Sequence, residues 1–320
     1  MKRALAFTVL AFIAASASFA QPYPSKTIRI VSPFPPGGSV DLVARLVGAD
    51  LGKALGQQIV VDNRSGATGM IGTELAAKSP PDGYTLLVNT LPFVTSPLVY
   101  GKAPYDPISD FAPVSLLASV ASVLVSHPAL PVSSMKDLIA LARAKPGAIT
   151  YGTAGAGSNP HIAGELLNNL AKIKIAAVHY KGGGPATIST LSGETQLYFV
   201  NAIPEALPYI EAKRLRALGI TATKRNPAAP QIPTMAEAGV PGYEFVTWQI
   251  LAAPKGTPAT IIATLNEKVR AVMKTPEAVK RWQDRGFDVI ASTPEEMTAH
   301  LQSEIKKWRV VFKEQGIKAE

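Results

Sequence analysis

Thr27-Ile28-Arg29-Ile30-Val31-Ser32-Pro33-Phe34-Pro35-Pro36-Gly37-Gly38-Ser39-Val40-Asp41-Leu42 reads as a short apolar strand, a proline and glycine turn, and the opening of a helix. The same grammar returns in the second half of the chain at Ile149-Thr150-Tyr151-Gly152-Thr153-Ala154-Gly155-Ala156-Gly157-Ser158-Asn159-Pro160-His161. Strands that pass directly into helices make this an α/β chain. Each turn also presents a helix N-terminus, where the first backbone N–H groups lack intrahelical acceptors and the macrodipole is positive. Glycines let a ligand come close to such a backbone. Two of these ends facing each other across a cleft would hold a small carboxylate.

Working outward, strands are expected at 28–33, 58–62 and 84–89, with helices from Ser39 and from about Gly69 between them. Ser39 reads as the N-cap of the first helix, and Val40, Val43, Leu46, Val47 and Leu51 form its apolar face. A second series starts with a strand at 121–126 and runs through helices at 135–143, 160–170, near 185–191 and at 203–210. Its other strands are expected at 149–152, 176–180, 196–200 and 214–220. Pro227, Pro230, Pro233 and Pro241 then mark an extended crossover with a short helix near Met235. One strand at 245–252 and helices at 258–273, 276–285 and 294–315 complete the chain.

Three helices with so few strands do not build an α/β domain of their own, so they are expected to pack back on the first one. That gives a discontinuous first domain, 21–118 with 243–320, and a second domain, 119–242. The expected fold is α/β and two-lobed, with a mixed, mainly parallel sheet flanked by helices in each lobe and the ligand cleft between the lobes.

Lys2 and Arg3, the apolar run 4–15 and Ser18-Phe19-Ala20 read as a secretory signal peptide, residues 1–20, cut before Gln21. The apolar run is shorter than the ~20 residues a membrane span needs. The chain has no cysteine, which removes disulfides, thiolate catalysis, thiolate metal sites and iron–sulfur clusters from consideration. Its net charge is +9, with the basic residues scattered along the chain and those of the last forty positions on what read as amphipathic helices. A mild positive field enriches anions near a cleft. No basic stripe is interleaved with aromatics, so no nucleic-acid partner is expected.

The glycine turns carry no nucleotide signature. Counting from Gly155, a dinucleotide fingerprint requires glycine where Pro160 stands, and no Gly-Lys-Ser/Thr follows for a triphosphate. Hydroxyls and amides without lysine suit a carboxylate. His161, His179, His127 and His300 have no metal-site spacing, so neither a metal nor a cofactor is expected. No Gly-x-Ser-x-Gly marks a nucleophile. Lys181, followed by three glycines, is a further candidate cleft loop. The loop 63–69 with Thr68, and Asn89 and Asn201 at strand ends, lie where open α/β sheets bind ligands.

Several stretches together carry a family resemblance. They are Pro33-Phe34-Pro35-Pro36-Gly37-Gly38-Ser39-Val40-Asp41, Asn63-Arg64-Ser65-Gly66-Ala67-Thr68-Gly69, Pro81-Asp82-Gly83-Tyr84-Thr85-Leu86, Asp110-Phe111-Ala112-Pro113-Val114, Tyr151-Gly152-Thr153-Ala154-Gly155-Ala156-Gly157-Ser158 and Pro233-Thr234-Met235-Ala236-Glu237-Ala238-Gly239. In this order they resemble the periplasmic solute receptors of tripartite tricarboxylate transporters, the Bug receptors. The resemblance implies a monomeric, hinge-closing periplasmic receptor, not an enzyme, that hands a small carboxylate to membrane permease subunits.

Carried over by position, the resemblance puts Phe34, Gly37, Gly38, Ser39, Ala67 and Thr68 on one wall. Thr153, Ala156, Gly157 and Ser158 form the other, and Pro35, Asn89, His161, Lys181 and Asn201 complete the candidate site. The carboxylate would be gripped through main-chain groups and bridging waters. The alternatives are a secreted enzyme on the same scaffold with His161 or His179 as base, and a sensing receptor that feeds a sensor kinase. The segment 90–99 departs from the family pattern and leaves the far end of the ligand open.

Overall fold

The computed structural model describes residues 23–315; the leader and its cleavage point lie outside them. β1 (Ile28–Ser32) leads into α1 (Ser39–Leu55), and β2 (Ile59–Asn63) passes through a 3₁₀ turn at Ala67–Gly69 into α2 (Met70–Ala77). β3 (Thr85–Thr90) leads into α3 (Pro92–Tyr100), and the long β4 (Phe111–Ala121) follows. Beyond Ser122 come β5 (Val123–Ser126), α4 (Met135–Ala144), β6 (Thr150–Thr153), α5 (Asn159–Ala171), β7 (Ala176–His179) and α6 (Gly183–Ser192). β8 (Leu197–Val200), α7 (Ile203–Glu211) and β9 (Arg216–Ile220) end that series. The chain closes with β10 (Val246–Pro254), α8 (Ala259–Met273), α9 (Pro276–Gln283), β11 (Phe287–Val289) and α10 (Pro294–Gln315).

The strands form two mixed sheets, one ordered β11-β4-β10-β3-β1-β2 and the other β7-β6-β8-β5-β9. Parallel pairing holds for β2-β1-β3 and for β7-β6-β8, the strands followed directly by helices. β10 and β5 instead run antiparallel to both of their neighbours. The cause is connectivity. Each of these strands arrives from the other sheet, enters at the edge facing it, and so runs opposite to strands that end there. Where the chain crosses, Thr221 donates its backbone N–H to the Ser122 carbonyl at 2.9 Å, and the Ser122 N–H donates to Thr221 Oγ1 at 2.8 Å. The outgoing and returning segments are thereby clasped together.

The first sheet is covered on one face by α1 and α8, with Ile30, Leu86, Leu251, Val47 and Leu265 buried between them. Each such side chain contributes about 1.5–3 kcal/mol on leaving water. α10 packs on β4 and α3, so the final helix closes back on the first sheet. α1 ends at Gly56 in the left-handed conformation (φ 64°), whose N–H caps the carbonyls of Gly52 and Lys53.

Four local readings shift. The N-cap of α1 is Gly38, one residue before the expected Ser39, and that of α5 is Ser158, which starts the helix at Asn159 rather than Pro160. β4 and α3 were not expected, because Pro113, Pro92 and Pro97 interrupt otherwise apolar stretches. The expected helix near Met235 is a turn, held by a bridge in which Met235 N–H reaches the Ile220 carbonyl at 2.8 Å. The strand expected over 121–126 divides at Ser122 between the two sheets.

Candidate functional site

The parallel strands of both sheets end at the space between the sheets, and the helices that follow them begin there. That is where open α/β sheets bind ligands. A cavity of about 80 Å³, open on one side to solvent, occupies this space. Phe34, Pro35, Gly38, Ser39, Thr90 and Pro92 line it from the first-sheet side. Ala154, Ser158, Asn159, Gly182–Pro185 and Asn201 line it from the other. No charged side chain is among the lining residues.

Helices α1, α3, α5 and α6 all begin at lining residues, and α7 begins two residues after Asn201. Their N-caps are Gly38, Leu91, Ser158, Gly182 and Ala202, and none supplies a side-chain cap. α4 and α9, which start away from the cavity, are capped conventionally by Ser134 and Thr275. α2 and α8 also start without a side-chain cap, at Gly69 and Pro258, but five such ends are gathered at the cavity, and their first-turn N–H groups and dipoles favour negative charge there. An apolar, neutral wall ringed by helix N-termini suits an anion bound without an arginine clamp.

The two glycine turns are shaped in the same way. Gly37 (φ 84°) donates its N–H to Asp41 Oδ2 at 3.0 Å, and Gly157 (φ 75°) donates its N–H to His161 Nδ1 at 2.9 Å. In each case a residue four positions on, in the first turn of the helix, holds a left-handed glycine, a conformation other residues adopt only with strain. Asp41 also accepts from Arg45 and from Asn63 Nδ2 at 2.9 Å, tying the first turn to the end of β2. His161 is 8% exposed, and its ring meets that of His179 edge-to-face at 5.0 Å. Burial, with His179 beside it, pulls its imidazole down to about 4. Neutral His161 is the form that accepts from Gly157.

The sequence-derived candidates divide accordingly. Phe34, Pro35, Gly38, Ser39, Ser158 and Asn201 come together on the cavity wall. Gly37, Gly157 and His161 shape the turns behind it. Thr68 Oγ1 donates to the Ala156 carbonyl at 3.0 Å, so Ala67, Thr68 and Ala156 meet beside the cavity and join its two sides. Asn89 is buried against α2, where its Nδ2 donates to Thr73 Oγ1 at 2.9 Å. Thr153 is fully buried and bonded to His179 Nδ1 at 2.6 Å. Lys181 is exposed and off the lining, while the glycines after it are on it.

Sequence reasoning did not select Thr90, Pro92, Ala154, Asn159 or Pro185 as site residues. Thr90 ends β3 and the others follow strands that end at the cleft, and that position was the available signal.

The chain matches the model of the tripartite tricarboxylate transporter family receptor over residues 43–317. Among solved structures it is similar to Rpa4515 of R. palustris with adipate, at 38% identity, covering 92% of this chain and 99% of that one, with a TM-score of 0.89. The periplasmic binding protein BugD is 30% identical, with 93% and 100% covered and a TM-score of 0.87. MatC (Rpa3494) of Rhodopseudomonas palustris with bound malate is 32% identical, with 90% and 99% covered and a TM-score of 0.84. The fold is that of the two-lobed periplasmic binding proteins, and this chain belongs to the tripartite tricarboxylate transporter receptor family.

Proposed function

We propose that this protein is a periplasmic receptor that captures a small carboxylate by closing its lobes and delivers it to the membrane permease of a tripartite transporter. One lobe is built on the first sheet, residues 23–121 with 243–315, and the other on the second, residues 123–242, so the boundary falls at the end of β4 rather than at 118, with the clasped Ser122 and Thr221 segments as the hinge. The observation that carries this reading is the ring of uncapped helix N-termini around a cavity without charged side chains. The adipate and malate held by similar structures support the ligand class. The carboxylate lies between Gly38-Ser39 and Ser158-Asn159, where backbone N–H groups of both lobes converge. Binding one group from two sides is what favours the closed form.

The test is calorimetric titration of the ligand-stripped protein with mono-, di- and tricarboxylates and with their methyl esters. Acids bind and the neutral esters do not. Failure of every acid, or equal binding of the esters, rejects the reading. Mass spectrometry of the supernatant after denaturing the freshly purified protein identifies any acid that it carries from the cell.

A further inference from the structure

Gln249 lies in the middle of β10, within the apolar run Trp248-Gln249-Ile250-Leu251-Ala252-Ala253. It is 0% exposed, and neither its Oε1 nor its Nε2 has a hydrogen-bond partner. A buried amide without partners is strongly disfavoured. Its position explains what it is for. Gln249 stands directly opposite Thr90 in the antiparallel β10-β3 pair, and residues so paired project to the same face of a sheet. Thr90 lines the cavity, and Gln249, its neighbour in the sheet, lies behind that lining. The face they share is the one covered by α1, whose Val40 also lines the cavity.

Other buried polar atoms nearby are equally unpartnered. Asn201 Oδ1 and Asn159 Oδ1 belong to lining residues, while Ser32 Oγ, at the end of β1 on the far side of β3 from Gln249, lies behind the lining as Gln249 does. The set is distinctive in its chemistry. It holds hydroxyl and amide donors together with three carbonyl-type oxygens that only accept. A carboxylate is itself only an acceptor, and the wall offers no cation to neutralise a second one. A group that both donates and accepts, such as a carboxamide or a hydroxyl, satisfies both kinds of atom.

We infer that Gln249, with Ser32, Asn159 and Asn201, forms a subsite for a neutral donor-and-acceptor group at the far end of the ligand. The preferred ligand is then a monoanionic acid bearing a carboxamide or hydroxyl rather than a plain dicarboxylate. This deepens the carboxylate-receptor reading and rests on it.

The experiment titrates the ligand-stripped protein with succinate, glutarate and adipate, each paired with its own monoamide. At the chain length that fits best, the monoamide binds at least tenfold more tightly than the dicarboxylate. Gln249→Met abolishes that ratio and raises the thermal midpoint of the ligand-free protein, because an unpaired buried amide has been replaced by an apolar chain of similar shape. Asn201→Ala reduces the ratio in the same direction and serves where Gln249→Met fails to fold. Tighter binding of the dicarboxylates, an unchanged ratio in both variants, or a lowered thermal midpoint in folded Gln249→Met overturns the inference. Absence of binding by every acid in both series would instead reject the receptor reading.

Discussion

Thr68 Oγ1 donates to the Ala156 carbonyl at 3.0 Å, joining the two sides of the cleft beside the cavity. Thr68 holds a left-handed backbone (φ 51°), as does Ala67 (φ 47°), and strain at non-glycine residues persists only where surrounding contacts impose it. Thr68→Val removes the hydrogen bond and keeps the shape. Ligand affinity is expected to fall by about 1 kcal/mol, roughly five-fold, mainly through faster dissociation. Stopped-flow release measurements check this; an unchanged off-rate would mean that the bond plays no part in holding the closed form.

Gly157 combines a positive φ with close approach. A Cβ at this position would lie 3.2 Å from Val99 Cγ2, across the cleft. Gly157→Ala is therefore expected to weaken binding by about 1–3 kcal/mol through strain and obstructed closure. Its amide is already engaged by His161, so the loss does not come from a missing ligand contact. Calorimetry on Gly157→Ala and Thr68→Val, singly and together, separates the two effects.

His161 makes the protein acid-sensitive in a defined window. Its imidazole sits at about 4 in the folded protein against 6.5 for the free side chain, so the unfolded chain binds more protons between those values. Stability is full above about pH 6.5 and declines as the pH falls toward 4, by roughly 3 kcal/mol in total. Below about pH 4 the folded imidazole itself takes a proton and loses the lone pair that accepts from Gly157. Denaturant unfolding at pH 7 and pH 4.5 should show the loss of stability for the natural protein and a smaller one for His161→Gln. Equal losses would assign the acid sensitivity to other groups.

Asp41 plays the corresponding part in the first turn. It is 4% exposed and accepts from Gly37 N–H, Arg45 and Asn63. Asp41→Ala leaves these donors without their acceptor and should lower stability by about 2–3 kcal/mol, with a larger loss of ligand affinity than a substitution far from the cleft. Thermal unfolding and titration of the same preparation measure both.

Much of this architecture was legible because it rests on local chemistry. α1 announces itself by Val40, Val43, Val47 and Leu51 at helical spacing and by Gly56 beyond its end, and α10 over Pro294–Gln315 by its proline start and long amphipathic run. β4 lacks alternation, because helices cover it and its neighbours and most of its residues are buried whichever face they take. α3 was hidden by Pro92 and Pro97, which tertiary packing accommodates.

At the site, the glycine turns could be read, but which groups they offer could not. The i+4 bonds from Gly37 and Gly157 depend on the rotamers of Asp41 and His161. Gln249 belongs to no motif. Its one signal is an amide inside an apolar strand, and its meaning depends on its pairing with Thr90 from a distant segment.

The central claim is that one carboxylate is held between the N-termini of α1 and α5. A crystal structure of the protein with its tightest-binding acid tests it most directly. The account predicts the carboxylate within about 3 Å of backbone N–H groups in the first turns after Gly38 and Ser158, directly or through one water. A carboxylate seated elsewhere, or contacted by only one of the two lobes, would contradict it.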